Sequence, residues 1–223
     1  MKKKLMKKNI GELFNSLEFS AIWVLVVVPA LSLILISISG ESPLYTSLSR
    51  IAWVSGYRLF MLFWSLIIIF PMVCLTIKVF RESPISEKNK KGLTIVAIVN
   101  IIVSFVSGLI IPAKNGVDPT TFWGKMHDIL TALGWLSYGI ALTAFSITLT
   151  VKDRTRGIVD MAFMAFIWLT GIFFIFKVID ENTYCGASAI TQVYIINMLN
   201  IFLLLNVIYQ NAENKKSIPE TQS

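Results

Sequence analysis

Residues 19–39 read FSAIWVLVVVPALSLILISIS, an apolar run long enough to cross a bilayer. A hydrocarbon core about 30 Å thick needs about 20 apolar residues in a helix. Helix is required because no water is present there to satisfy the backbone amides. Five further runs qualify: residues 51–77, 93–111, 127–150, 158–176 and 189–209. The sequence therefore predicts an all-α integral membrane bundle of six transmembrane helices.

Composition supports a membrane protein. Of the 223 residues, 55% are hydrophobic and 15% are charged, and the mean hydropathy is +0.71. A soluble domain is about 45–50% apolar and about 25% charged. The net charge is +7, but the basic residues lie in short stretches between apolar runs. This distribution argues against nucleic-acid binding, so the predicted partner is the lipid bilayer, and nothing indicates an oligomeric state.

Lysine and arginine placement predicts the orientation. Fifteen of these residues lie in the N-terminus, the second and fourth connections and the tail, and four lie on the opposite side. Short basic loops face the cytoplasm. We therefore expect an N-in/C-in protein of the cell inner (plasma) membrane, with a basic cytoplasmic segment 1–18, a transmembrane domain 19–209 and a polar cytoplasmic tail 210–223. The first run exceeds the usual signal-peptide core, which predicts an uncleaved anchor.

Cysteine and histidine counts exclude several chemistries. The chain contains Cys74, Cys185 and His127, with no C-x-x-C motif. One histidine cannot supply bis-histidine haem ligation or a three-histidine zinc site. No G-x-S-G serine with a histidine on another run, Walker sequence or H-E-x-x-H motif is present. We expect no cofactor, no metal and no identifiable catalytic residue, and an enzyme is the least favoured class.

The polar residues near the predicted outer side suggest one candidate site. Arg58 lies seven residues into the second run, about 10 Å along a helix, where an ionised group needs a partner or water. His127 and Asp128 begin the fourth run, and Gln192 lies near the start of the sixth. We expect Arg58, His127, Asp128 and Gln192 to form an outward-facing pocket for a small anion or lipid headgroup.

Plainer interpretations of these residues remain open. Arg58 can extend to the headgroup region without a ligand. His127 can simply begin a helix there, and Asp128 is favourable near a helix N-terminus because of the helix dipole.

Other polar residues predict packing contacts. Asn197 and Asn200 share a face of the sixth run, and we expect both to hydrogen-bond to neighbouring helices. Asp160 begins the fifth run close to Arg154 and Arg156, and we expect it to be paired there.

Small and cyclic residues predict close contacts and bends. Pro29 and Pro71 lie inside runs and predict kinks, because each removes a backbone hydrogen bond. Ser104 and Gly108 form a small-xxx-small pair that predicts a close helix contact.

Residues 110–143, IIPAKNGVDPTTFWGKMHDILTALGWLSYGIALT, carry a family resemblance. This block resembles the central signature of the DUF998 family of six-helix prokaryotic membrane proteins at Pro112, Asp118, His127, Ala132 and Gly134. Frag1/DRAM-like membrane proteins are the rival assignment. The resemblance implies a six-helix fold and no established reaction. Our leading hypothesis is a binding or transport-type membrane protein; the alternatives are a structural or interaction protein and, last, a membrane-embedded enzyme.

Overall fold

The computed structural model describes residues 16–44, 46–53, 55–111, 122–180 and 188–216. These residues form six long helices, one short helix and connecting turns, without a strand. The helices are α1 (Leu17–Ser39), α2 (Leu48–Trp53), α3 (Arg58–Glu82), α4 (Glu87–Ile110), α5 (Phe122–Thr150), α6 (Arg154–Asp180) and α7 (Ala189–Lys216). All but α2 are long and apolar enough to cross a membrane, which confirms the prediction of six such helices.

The two ends of the bundle are named from the predicted orientation. The outer end carries the starts of α3, α5 and α7, and the inner end carries the starts of α1, α4 and α6. Hydroxyl and carboxylate side chains cap the inner starts: Ser16 Oγ accepts from Phe19 N at 3.3 Å and Ser86 Oγ accepts from Asn89 N at 3.4 Å. Such caps satisfy backbone donors that have no partner within the helix.

The prediction of one helix across residues 51–77 is wrong at its outer end. The short helix α2 ends at Trp53, and α3 begins at Arg58. Between them Gly56 has φ +80, a left-handed conformation that side chains other than glycine rarely adopt. The break makes Arg58 the first residue of α3, so it does not lie seven residues inside a span.

Both prolines alter their helices in a specific way. Before Pro29, residues Trp23–Val27 form a π-helical turn, in which Val28 N–H bonds to the Trp23 carbonyl. In α3, Pro71 has no N–H to give to the Ile67 carbonyl, four residues earlier. Trp23 Nε1 donates to that carbonyl at 3.0 Å. Trp23, the first residue of the π-helical turn in α1, therefore supplies the hydrogen bond that Pro71 cannot give to the Ile67 carbonyl in α3.

The helices pack in sequence order. Consecutive long helices are neighbours, and α7 completes the bundle by packing against α1, α3 and α6. The helices α4 and α5 approach closely at Gly134, where an added Cβ would lie 3.0 Å from the Asn100 carbonyl oxygen and 3.0 Å from Ser104 Cβ. The predicted small-residue contact therefore uses Ser104. Gly108 is not part of it, because an added Cβ there would meet nothing within 4 Å.

Two further predictions concern the chain ends and the cysteines. Helix α7 continues to Lys216, so the first residues of the predicted tail 210–223 are helical. Cys74 is half-buried in α3 with a free thiol, and Cys185 lies outside the described residues.

Candidate functional site

Arg58 lies at the outer end of the bundle with an exposed side chain. Its Cζ atom lies 3.7 Å from the centroid of the Trp53 ring, at the end of α2. A guanidinium in this position is attracted by the negative face of the ring. Across the described residues, no carboxylate pairs with Arg58. The positive charge is thus held by an aromatic ring and left without an ionic partner there.

His127 has a backbone partner. It lies in the first turns of α5 and is 2% exposed. Its Nδ1 atom lies 2.7 Å from the carbonyl oxygen of Ile111, the residue that ends α4. A carbonyl oxygen can only accept, so Nδ1 carries the proton in this contact. His127 therefore joins the end of α4 to the start of α5.

Gln192 also bonds to the backbone. Its Oε1 atom accepts from the N–H of Leu48, the first residue of α2, at 3.1 Å. The first N–H groups of α7 are bonded by the segment before α2: Ala189 N donates to the Thr46 carbonyl, and Ile190 N donates to the Pro43 carbonyl at 3.1 Å. These contacts fix the short helix α2 over the outer end of α7.

The predicted site residues therefore have three separate environments. Arg58 contacts an aromatic ring, whereas His127 and Gln192 bond to different backbone groups. Across the described residues, no hydrogen bond or ion pair joins Arg58 to His127. The side chain of Asp128 lies outside the described part of the chain.

A second polar cluster lies at the inner end, between α6 and α7. Asn206 is its centre and is 2% exposed. Its Oδ1 atom accepts from Arg156 Nη2 at 2.7 Å and from Arg156 Nε at 3.3 Å. Its Nδ2 atom donates to Asp160 Oδ1 at 3.3 Å and to the Phe202 carbonyl at 3.2 Å. One amide therefore links a guanidinium and a carboxylate of α6 to α7.

Residues around Arg156 complete this inner cluster. Arg156 Nη1 lies 3.9 Å from Glu213 Oε2, and its Cζ atom lies 4.7 Å from the centroid of the Tyr209 ring. Asp153 Oδ1 caps α6 by accepting from Arg156 N at 3.0 Å, and its Oδ2 accepts from Tyr209 Oη at 3.2 Å. The inner cluster thus connects the turn before α6 with the last turns of α7.

Arg156 and Asp160 are buried but incompletely bonded. Arg156 is 4% exposed and Asp160 is 8% exposed. Arg156 Nη1 and Asp160 Oδ2 are buried, and within the described residues neither has a hydrogen-bond partner. An ionisable residue inside a membrane span is energetically costly, so it belongs to a functional site more often than an ordinary packing residue does. The sequence predicted that Asp160 is paired with Arg154 or Arg156. Among the described contacts no ion pair joins Asp160 to either arginine, and its hydrogen bond is to Asn206, which also accepts from Arg156.

The expectation for the middle of α7 is wrong in its main point. Asn200 is 0% exposed, and neither of its amide atoms has a hydrogen-bond partner among the described residues. Asn197 Oδ1 is also a buried atom without a hydrogen-bond partner among the described residues. Within the described residues, neighbouring helices therefore do not hydrogen-bond Asn200 as expected.

Comparisons with known proteins give no relative. The sequence matches no protein-family profile, no curated protein and no solved structure.

Proposed function

We propose that this multi-pass protein binds a phosphate-type oxyanion at the outer end of the bundle, carried by a lipid headgroup or by a small free anion. The observation that supports this proposal is Arg58, exposed at the start of α3 and stacked on Trp53 without a described carboxylate partner. The proposal places both chain ends in the cytoplasm and the protein in the inner (plasma) membrane, because basic residues concentrate at the inner end.

The chemistry of Arg58 suits an oxyanion. A guanidinium presents a planar fork of N–H donors that matches phosphate oxygens two at a time. The Trp53 ring occupies the face of the guanidinium, so the donors at its edge stay available. At the interface between headgroups and hydrocarbon, the nearest abundant oxyanions are lipid phosphates.

A second candidate is a structural role, favoured by His127 and Gln192. Both bond to backbone groups at helix ends, which is what a packing residue does. We therefore assign the ligand contact to Arg58 and leave His127, Gln192 and Asp128 as supporting positions in the proposal. The relationship to the DUF998 family is likewise a proposal and adds no reaction.

Lipid retention tests the proposal. The full chain is purified into nanodiscs of phosphatidylcholine with added phosphatidylglycerol, and native mass spectrometry counts the retained phosphatidylglycerol. We expect Arg58→Gln to lower retention at least about tenfold, since a charge-assisted hydrogen bond contributes about 1.5–3 kcal/mol. Arg58→Lys should fall between, because it keeps the charge and loses the fork.

Lys125→Gln is the matched control, since Lys125 is an exposed cation at the same end of the bundle. Its retention should equal that of the unmodified protein. Inorganic phosphate that displaces the lipid would identify a free oxyanion as the ligand, whereas retention in its presence identifies the headgroup. A correctly folded Arg58→Gln protein that keeps its phosphatidylglycerol would refute the proposal.

The proposed orientation has its own test. Reporter tags at the two chain ends should both be accessible from the cytoplasm. Tags that report opposite faces would contradict the even number of crossings.

A further inference from the structure

We propose that Asp160 is a reversible proton-binding site at the inner end of the bundle, linked through Asn206 and Arg156 to the last turns of α7. This site is separate from Arg58, and it does not depend on the proposed oxyanion binding. Its ligand is the proton, exchanged with water on the predicted cytoplasmic side.

The hydrogen bonding of Asp160 is the first support. A carboxylate has about four acceptor positions and is usually supplied with several donors when it is buried. The donor shown for Asp160 is Asn206 Nδ2, at 3.3 Å from Oδ1. Oδ2 is buried and has no partner among the described residues. A proton added at Oδ2 would therefore displace no hydrogen bond.

The surrounding charges are the second support. The described charged groups that act on Asp160 are Arg156, on its own helix, and Asp153, in the turn before that helix. Tyr209 and Glu213 of α7 contact Arg156. Helix α5 also packs against α6. Near Asp160 it places the hydroxyl of Thr150, which donates to Met161 Sδ at 3.5 Å. Arg156 therefore interacts electrostatically with three carboxylates, those of Asp153, Asp160 and Glu213, and Asp160 is the most buried of them.

Proton binding would redistribute the partners of Arg156. Hydronium delivers a proton to the Asp160 carboxylate, which becomes a neutral carboxylic acid, and one water molecule is released. The guanidinium then keeps Asp153 and Glu213 as its described anionic neighbours. Glu213 Oε2 lies 3.9 Å from Arg156 Nη1, beyond hydrogen-bond distance, and Nη1 has no other described acceptor. We expect protonation to shorten this contact and hold the end of α7 to α6.

Infrared difference spectroscopy over a pH series tests the site in the reconstituted full chain. A buried, weakly hydrogen-bonded carboxylic acid gives a C=O stretching band separate from that of exposed acids. We expect such a band to rise reversibly as the pH falls, while the protein stays folded. Asp160→Asn, which resembles the neutral state in shape, should abolish the band. Glu87→Gln should keep it, because Glu87 is an exposed carboxylate at the same end of the bundle.

A second variant tests the link to Arg156. Removing the Arg156 guanidinium should destabilise the ionised form of Asp160. Arg156→Gln should therefore raise the proton affinity of Asp160 at least about tenfold, seen as a shift of the band midpoint by about one pH unit. If Arg156→Gln does not fold, Asn206→Leu provides the smaller perturbation and should still move the midpoint. A band that persists in Asp160→Asn, or the absence of any pH-dependent band in the unmodified protein, would overturn the proposal.

Discussion

Gly134 is the position where a single methyl group should have the clearest effect on the bundle. In Gly134→Ala the new Cβ would overlap Ser104 Oγ and lie 3.0 Å from the Asn100 carbonyl oxygen. The hydroxyl can rotate away, but the carbonyl belongs to the backbone of α4 and moves only if the helix moves. Overpacking of this kind costs about 1–3 kcal/mol. Alanine returns about 1 kcal/mol through its higher helix propensity. We expect a net loss of about 0–2 kcal/mol.

The assay is reversible unfolding in mixed micelles, followed by circular dichroism. Gly108→Ala is the matched control on α4, because an added Cβ there meets nothing within 4 Å. It should be neutral or slightly stabilising. The double variant Gly134→Ala/Ser104→Gly removes the Ser104 side chain but not the Asn100 carbonyl, so it should recover part of the loss, and the two positions should show a coupling energy above about 0.5 kcal/mol.

Two results would refute this reasoning about the α4–α5 contact. The first is a Gly134→Ala protein as stable as Gly108→Ala. The second is an equal loss with and without Ser104→Gly, which would mean that the Ser104 side chain does not obstruct the methyl group. If the prediction holds, Gly134 has a packing role in this chain.

The other predictions concern buried polar groups and use the same unfolding assay. Trp23→Phe should lose about 1 kcal/mol, because the Ile67 carbonyl loses its donor. In a Pro71→Ala background the loss should shrink, since the new N–H at residue 71 can bond to that carbonyl; an undiminished loss would show that the indole acts only by packing. Asn200→Leu should stabilise the protein by about 1 kcal/mol, because two buried unpartnered amide atoms are replaced by apolar groups of similar shape. A destabilised Asn200→Leu protein would instead indicate that water or another ligand bonds the amide.

The six spans could be predicted because one physical requirement controls them. A helix that crosses hydrocarbon must be apolar over a fixed length, and that property is visible in the sequence. The depth of Arg58 could not be predicted in the same way. Hydropathy stays high through residues 51–77, whereas the helix is interrupted by the backbone conformation at Gly56. A hydropathy average does not register one left-handed residue.

The inner cluster shows a different limit of the sequence. Helical periodicity predicted that Asn197 and Asn200 share a face, but it does not tell which neighbouring helix that face meets. Asn206 is the asparagine of α7 that contacts charged residues, and it does so because α7 packs against α6 at the level of Arg156 and Asp160. That alignment depends on how far the two helices are shifted along each other, which is set by packing over their whole length.

Several polar side chains in the bundle bond to backbone groups at places where a helix ends or is interrupted. Among those that bond to the backbone of another helix are Trp23, His127, Gln192 and Gln210. Such contacts stabilise the fold without requiring a ligand, because each supplies what one backbone group lacks. Arg58 and Asp160 depart from this pattern. The described contacts of Arg58 leave its charge unneutralised, and those of Asp160 leave one buried oxygen without a donor. An oxyanion at the first and a proton at the second would each supply the missing partner, and for that reason the proposals concern these two residues.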